Sequence, residues 1–150
     1  MPFFHDRDRA SLRRMYFEAW RKHREALPVE PVEDQIVRVV GLHPEYASVL
    51  ESGEEALDRD YTPEQGQVNP FLHMGLHLAI REQVATNRPT GIAAVHRELL
   101  TKLGGDAHAA EHAMIDCLGE ALWQAQRSGL PPDEAAYLDA LRRRAGLPRA

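Results

Sequence analysis

The stretch "NPFLHMGLHLAI", residues 69–80, decides how the chain is read. Asn69 followed by Pro70 is a helix start: asparagine accepts from the open amides of the first turn, and proline suits a position that needs no N–H. The apolar residues that follow recur at helical spacing, so a helix is expected to run to about Thr86. On that helix His73 and His77 share a face with Ile80 and Val84, because side chains four apart stack along one side. Two ionisable rings thus open a seam that faces a core. Burying them costs free energy unless something compensates.

A second stretch, "DAHAAEHAMIDCLGEALW" (residues 106–123), repeats the pattern. Asp106 is a helix cap, and His108 and His112 again stand four apart, with Asp116 and Glu120 further along the same face. Eight histidines scattered over 150 residues would give only about 0.4 such pairs by chance, so two pairs are suggestive. If consecutive helices alternate in direction, the two histidine helices run parallel. All four rings then fall within about 12 Å of one end of the bundle, at a rise of 1.5 Å per residue. Rings converging from two helices form a metal site.

A nitrogen-rich donor set with a carboxylate suits zinc, iron or another first-row divalent ion, whereas calcium and magnesium want oxygen cages. The expected ligands are His73, His77, His108 and His112, with Asp116 one turn past His112, or Glu45, completing the shell. Glu111 and Glu120 are candidates to orient a ligand, or to act as general base if the ion activates water on a small substrate. His43, beside Glu45, can reach the same end, although a capping role would explain both. His96 is a lone histidine on the intervening helix. The pattern is neither HExxH nor the Glu-x-x-His of di-iron bundles. Two other readings compete: buried hydrogen-bond networks, and an anion cradle of helix N-termini with neighbouring arginines. Cys117 points away from the histidine stripe, and Trp123 with Leu118 and Leu122 reads as core.

Outward from these helices, the rest of the chain carries the same periodicity. A helix is expected over residues 8–26, with Leu12, Tyr16, Ala19, Trp20, His23 and Leu27 on one face. A short helix stops near Gly41, and His43-Pro44-Glu45 opens another. "YTPEQG" is a turn with Thr62 and Gln65 at capping-box spacing. Further helices are expected over 90–103, 106–126 and 133–144, punctuated by Gly104-Gly105 and Ser128-Gly129. The fold class is therefore all-α: a bundle of five to seven helices with short connections, forming one domain over 1–150.

The 43% hydrophobic and 27% charged composition is that of a soluble globular protein, and the single Cys117 excludes an intrachain disulfide or a CxxC site. "MPFFHDRDR" lacks the apolar core of a secretory leader, and no stretch has the ~20 apolar residues that cross a bilayer, so a cytoplasmic location is expected. The net charge of −5 is uneven: residues 28–68 hold two Lys/Arg against ten Asp/Glu. That acidic middle argues against nucleic-acid binding, and Arg142-Arg143-Arg144 alone is too small a footprint. It also supplies a rival function: a non-catalytic module whose acidic 28–68 segment meets a basic protein partner, the histidines serving the fold.

"AWRKHR", "HPEY", "YTPEQGQVNPFLHMGLHLAIREQ", "RPTGI" and "HAAEHAMIDCLGEALWQAQRSGLPPD" together resemble a bacterial family known as domain of unknown function 1841. The resemblance implies a small, helical, cytoplasmic protein and supplies no activity. It implies family-like positions at His43, Glu45, Asn69, His73, His77, His108, Glu111, His112, Glu120, Trp123, Gln126 and Arg127. Asp116 stands where the resemblance leads one to expect glutamate, and His96 lies outside the pattern.

Overall fold

A computed structural model describes residues 6–51 and 69–148. Among the described residues there are seven helices and no strand: α1 (Asp6–Arg24), α2 (Pro31–Gly41), α3 (Pro44–Glu51), α4 (Pro70–Thr86), α5 (Ile92–Lys102), α6 (Ala107–Ser128) and α7 (Glu134–Arg144). The fold is all-α, as the apolar periodicity requires. The Thr62–Gln65 turn, His5, the side chain of Leu12 and the 52–68 part of the acidic stretch lie outside the described residues. The chain divides into two compact units, Met1–Gly75 and Leu76–Ala150, the division falling inside α4.

Local chemistry sets the helix ends. Asn69 Oδ1 accepts from the amides of Phe71 and Leu72 at 3.0 and 3.1 Å, which fixes where α4 begins. Asp106 and Asp133 do the same for α6 and α7, accepting from Ala109 and Ala136 at 3.0 Å. Asn87 has two tasks. Its left-handed backbone, φ 52°, ends α4, and its Oδ1 accepts from the amides of Gly91 and Ala93 to start α5. Helix α6 ends at Gly129, whose φ of 72° a side chain would disfavour.

In the first unit, α1 packs on α2 and α3 through Ala19, Ile36, Val39, Val40, Tyr46 and Leu50. Phe71 and Met74 from the start of α4 are buried too, and Phe71 carries the guanidinium of the buried Arg13 4.6 Å above its ring. Glu33 of α2 accepts from the Glu30 amide at 2.8 Å and pairs with Lys22 of α1 at 3.0 Å. These contacts hold its carboxyl below the usual range, the backbone bond first.

In the second unit one core joins Ile80, Ile92, Val95, Leu99, Met114, Ile115, Tyr137 and Leu141 from α4 to α7. Tyr137 donates its hydroxyl to Gln83 at 2.6 Å, so its polar tip is satisfied inside the packing. Helix α6 is buried only along its first half. Leu118 is 8% exposed, but Leu122 is 42% and Trp123 47% exposed. Leu118 is core as expected, but Leu122 and Trp123 are not: the Trp123 ring lies under the Arg127 guanidinium, 4.6 Å away, on a helix face that has outrun its neighbours.

A candidate metal centre of four histidines

Helix α4 presents His73 and His77 one turn apart. His77 is fully buried, flanked along the helix by Met74 and Ile80, and His73 is half-buried. His43 comes from the joint between α2 and α3, where it ends one helix and accepts the Tyr46 amide on its carbonyl to begin the next. Its ring is buried, stacked on Tyr46 at 4.6 Å and set edge-on to His73 at 5.5 Å. Helix α6 supplies His112, whose Nε2 stands 3.1 Å from Nε2 of His77. One donor nitrogen from each of His43, His73, His77 and His112 lies within 4.8 Å of the others.

The hydrogen bonds behind these rings fix which nitrogen faces inward. Nδ1 of His77 lies 2.8 Å from Glu111 Oε1, and Nε of Arg81 donates to the same oxygen at 3.0 Å. Burial alone would raise the Glu111 carboxyl. The His77 hydrogen bond and the Arg81 charge together outweigh it and hold the group below the usual range, so it is ionised near neutral pH. An ionised carboxylate only accepts, so Nδ1 of His77 carries a proton, and in the neutral ring the lone pair is on Nε2, which stands towards His112. His43 follows the same rule. Its Nδ1 is 2.8 Å from the Val39 carbonyl, also an acceptor only, which puts the proton of a neutral ring on Nδ1 and the lone pair on Nε2. A ring anchored through Nδ1 to a carboxylate or carbonyl is the usual support of a metal-binding histidine.

The donor set fits a transition-metal ion. Two nitrogens on a tetrahedral ion at 2.0–2.1 Å stand about 3.3–3.4 Å apart, close to the 3.1 Å between His77 and His112. Four neutral imidazoles would carry no charge to offset a dication, and the Glu111 carboxylate, one ring away, would supply a negative charge.

The other expected residues lie elsewhere. His108 is outside the group of four, with its ring 4.2 Å from His112 and 5.7 Å from His77. Asp116 is exposed and pairs with Arg144 at 3.2 Å. Glu45 is exposed on α3, and Glu120 is exposed and accepts from Gln124. His96 is half-buried on α5, where burial pulls its ring below the usual range despite the Glu111 charge. Cys117 is half-buried, and burial pushes its thiol up, away from nucleophile chemistry. His43 is the member that spacing alone did not select. Its only local signal was its place before Pro44, which a cap explains equally well.

Neither the curated proteins nor the solved structures contain a match to the chain. The profile of one family, described as a domain of unknown function, matches residues 8–143, nearly the whole length. With His43, His73, His77 and His112 all inside the matched span, the chain belongs to the family of domain of unknown function DUF1841.

Proposed function

We propose that the protein binds one transition-metal ion, zinc or iron, through His43, His73, His77 and His112. The single observation that carries this reading is the meeting of four imidazole nitrogens within 4.8 Å, two of them on rings whose outward nitrogen is already committed to an acceptor. Nitrogen donors without thiolates or an oxygen cage select borderline ions over calcium or magnesium. Such an ion supplies a Lewis acid and, at an open position, a water acidified towards neutrality, which suits hydrolysis or redox chemistry on a small molecule.

The chain's own residues have distinct tasks in this reading. His77 and His43 hold metal-facing lone pairs. Glu111 positions His77 and balances charge; with Oε1 engaged by both His77 and Arg81, it serves better as an anchor than as a mobile base. Arg81 keeps Glu111 ionised and aimed. His108 packs beside His112 and His77 without joining the group, and Asp116 pairs with Arg144.

Metal analysis of protein purified anaerobically without a histidine tag tests the reading. The expected result is about one zinc or iron per chain, lost in a His77→Ala and His112→Ala double variant. Metal-free protein whose melting temperature does not respond to added zinc or ferrous ion would overturn it and favour the interaction module built on the acidic 28–68 segment.

A further inference from the structure

Beside His112, within the second unit, lies a cavity of about 500 Å³. Its apolar walls come from Leu99 and Leu103 at the end of α5, and from Ala109 and Ala113, whose small side chains leave the space open. The rings of His108 and His112 line it, and Lys102 and Arg144 stand at its edge. The volume is that of a small-molecule site, and the mixture of apolar wall with a few converging polar groups is what such sites share.

The donors at its edge are only partly used by the protein. Lys102 Nζ gives one N–H to the Arg144 carbonyl at 2.9 Å, and an ammonium has three. Arg144 gives one N–H to Asp116 at 3.2 Å, and a guanidinium has five. The two acidic residues that share the edge are engaged: Asp116 by Arg144, and Asp106 as the cap of α6. Donors remaining on two cations above an apolar wall match a ligand with an anionic head and a hydrocarbon body.

We propose that this cavity binds a small organic carboxylate, its head on Lys102 and Arg144 and its body against Leu99, Leu103 and Ala109. This goes beyond the metal reading and shares with it only the His112 ring. A carboxylate held here presents its far end to the ring that would touch the ion, so the cavity is where a substrate of a metal centre would wait.

Titration of the isotope-labelled protein with benzoate, followed by backbone amide NMR, tests the proposal with and without prior chelator treatment. Saturable shifts at Leu103, Ala109 and Ala113 are expected in both states. Affinity should be at least tenfold weaker for benzamide, for inorganic phosphate, and in the Lys102→Gln/Arg144→Gln variant. An Ala109→Leu variant, which fills the cavity on a helix that tolerates leucine, should lose binding while keeping its helical signal. The proposal fails if benzoate gives no saturable shift there, or if benzamide or phosphate binds as tightly. It fails equally if the double variant binds unchanged, or if binding appears only with metal added. Benzoate binding retained in chelated protein that takes up no metal would sink the metal reading alone.

Discussion

Helices α4 and α6 carry the same histidine spacing and put it to different use. On α4 both His73 and His77 enter the four-nitrogen group, whereas on α6 only His112 does and His108 turns to the neighbouring cavity. The place that symmetry would assign to His108 is taken by His43, from a helix joint some thirty residues before α4. Spacing puts two rings on one face. Which of them enters the group depends on what lies opposite and on what anchors the ring from behind. His77 has Glu111 and His43 has the Val39 carbonyl.

The sharpest way to break this contrast is at His77. The ring is fully buried, and its removal leaves a cavity and takes the His77 hydrogen bond from the buried Glu111, whose ion pair with Arg81 remains. His77→Ala should abolish metal binding and destabilise the fold by about 2–4 kcal/mol, read by chemical denaturation of the metal-free protein. Next in size is the comparison within α6. His112→Ala should weaken zinc affinity by more than 100-fold, while His108→Ala should change it by less than about threefold, as measured by competition with a chelator. Equal losses in the two variants would restore the symmetric site that spacing alone suggests.

Glu111→Gln keeps the shape of the anchor and removes its charge. Metal affinity should fall about 10–100-fold with the fold intact. The pH dependence has a definite sign. The folded state holds the Glu111 carboxyl below its ordinary 4.5, so its contribution is fully present above that value and is lost as pH falls through the lower folded value. The acid limb of the stability curve should therefore be shallower in Glu111→Gln than in the parent. The smallest effect belongs to Asp116→Ala. Its pair with Arg144 is exposed on both sides, so stability should move by no more than about 0.5 kcal/mol and metal affinity by less than about twofold.

The helices were legible because their signals are local. Asn69, Asp106 and Asp133 cap as their types and positions imply, since a cap needs only amides two or three residues away. Helix boundaries followed to within about two residues. Less was legible where the deciding partner is distant in sequence. Trp123 shares a helical face with buried residues, but periodicity does not say where the packing neighbours stop, and the face is already solvent-exposed at Leu122. His43 offered no stripe, because it sits alone at a joint whose value lies in a carbonyl behind it and a ring in front. Glu111 stood beside His112 in the chain, yet its partner is the ring 34 residues earlier, His77.

X-ray absorption at the edge of the bound metal tests the coordination most directly. With zinc or ferrous ion loaded into untagged protein, the first shell should be nitrogen, with the outer-shell scattering of four imidazoles. One ring should disappear in His43→Ala and none in His108→Ala. A shell dominated by oxygen, or one that loses a ring with His108 and keeps it without His43, would contradict the four-histidine centre.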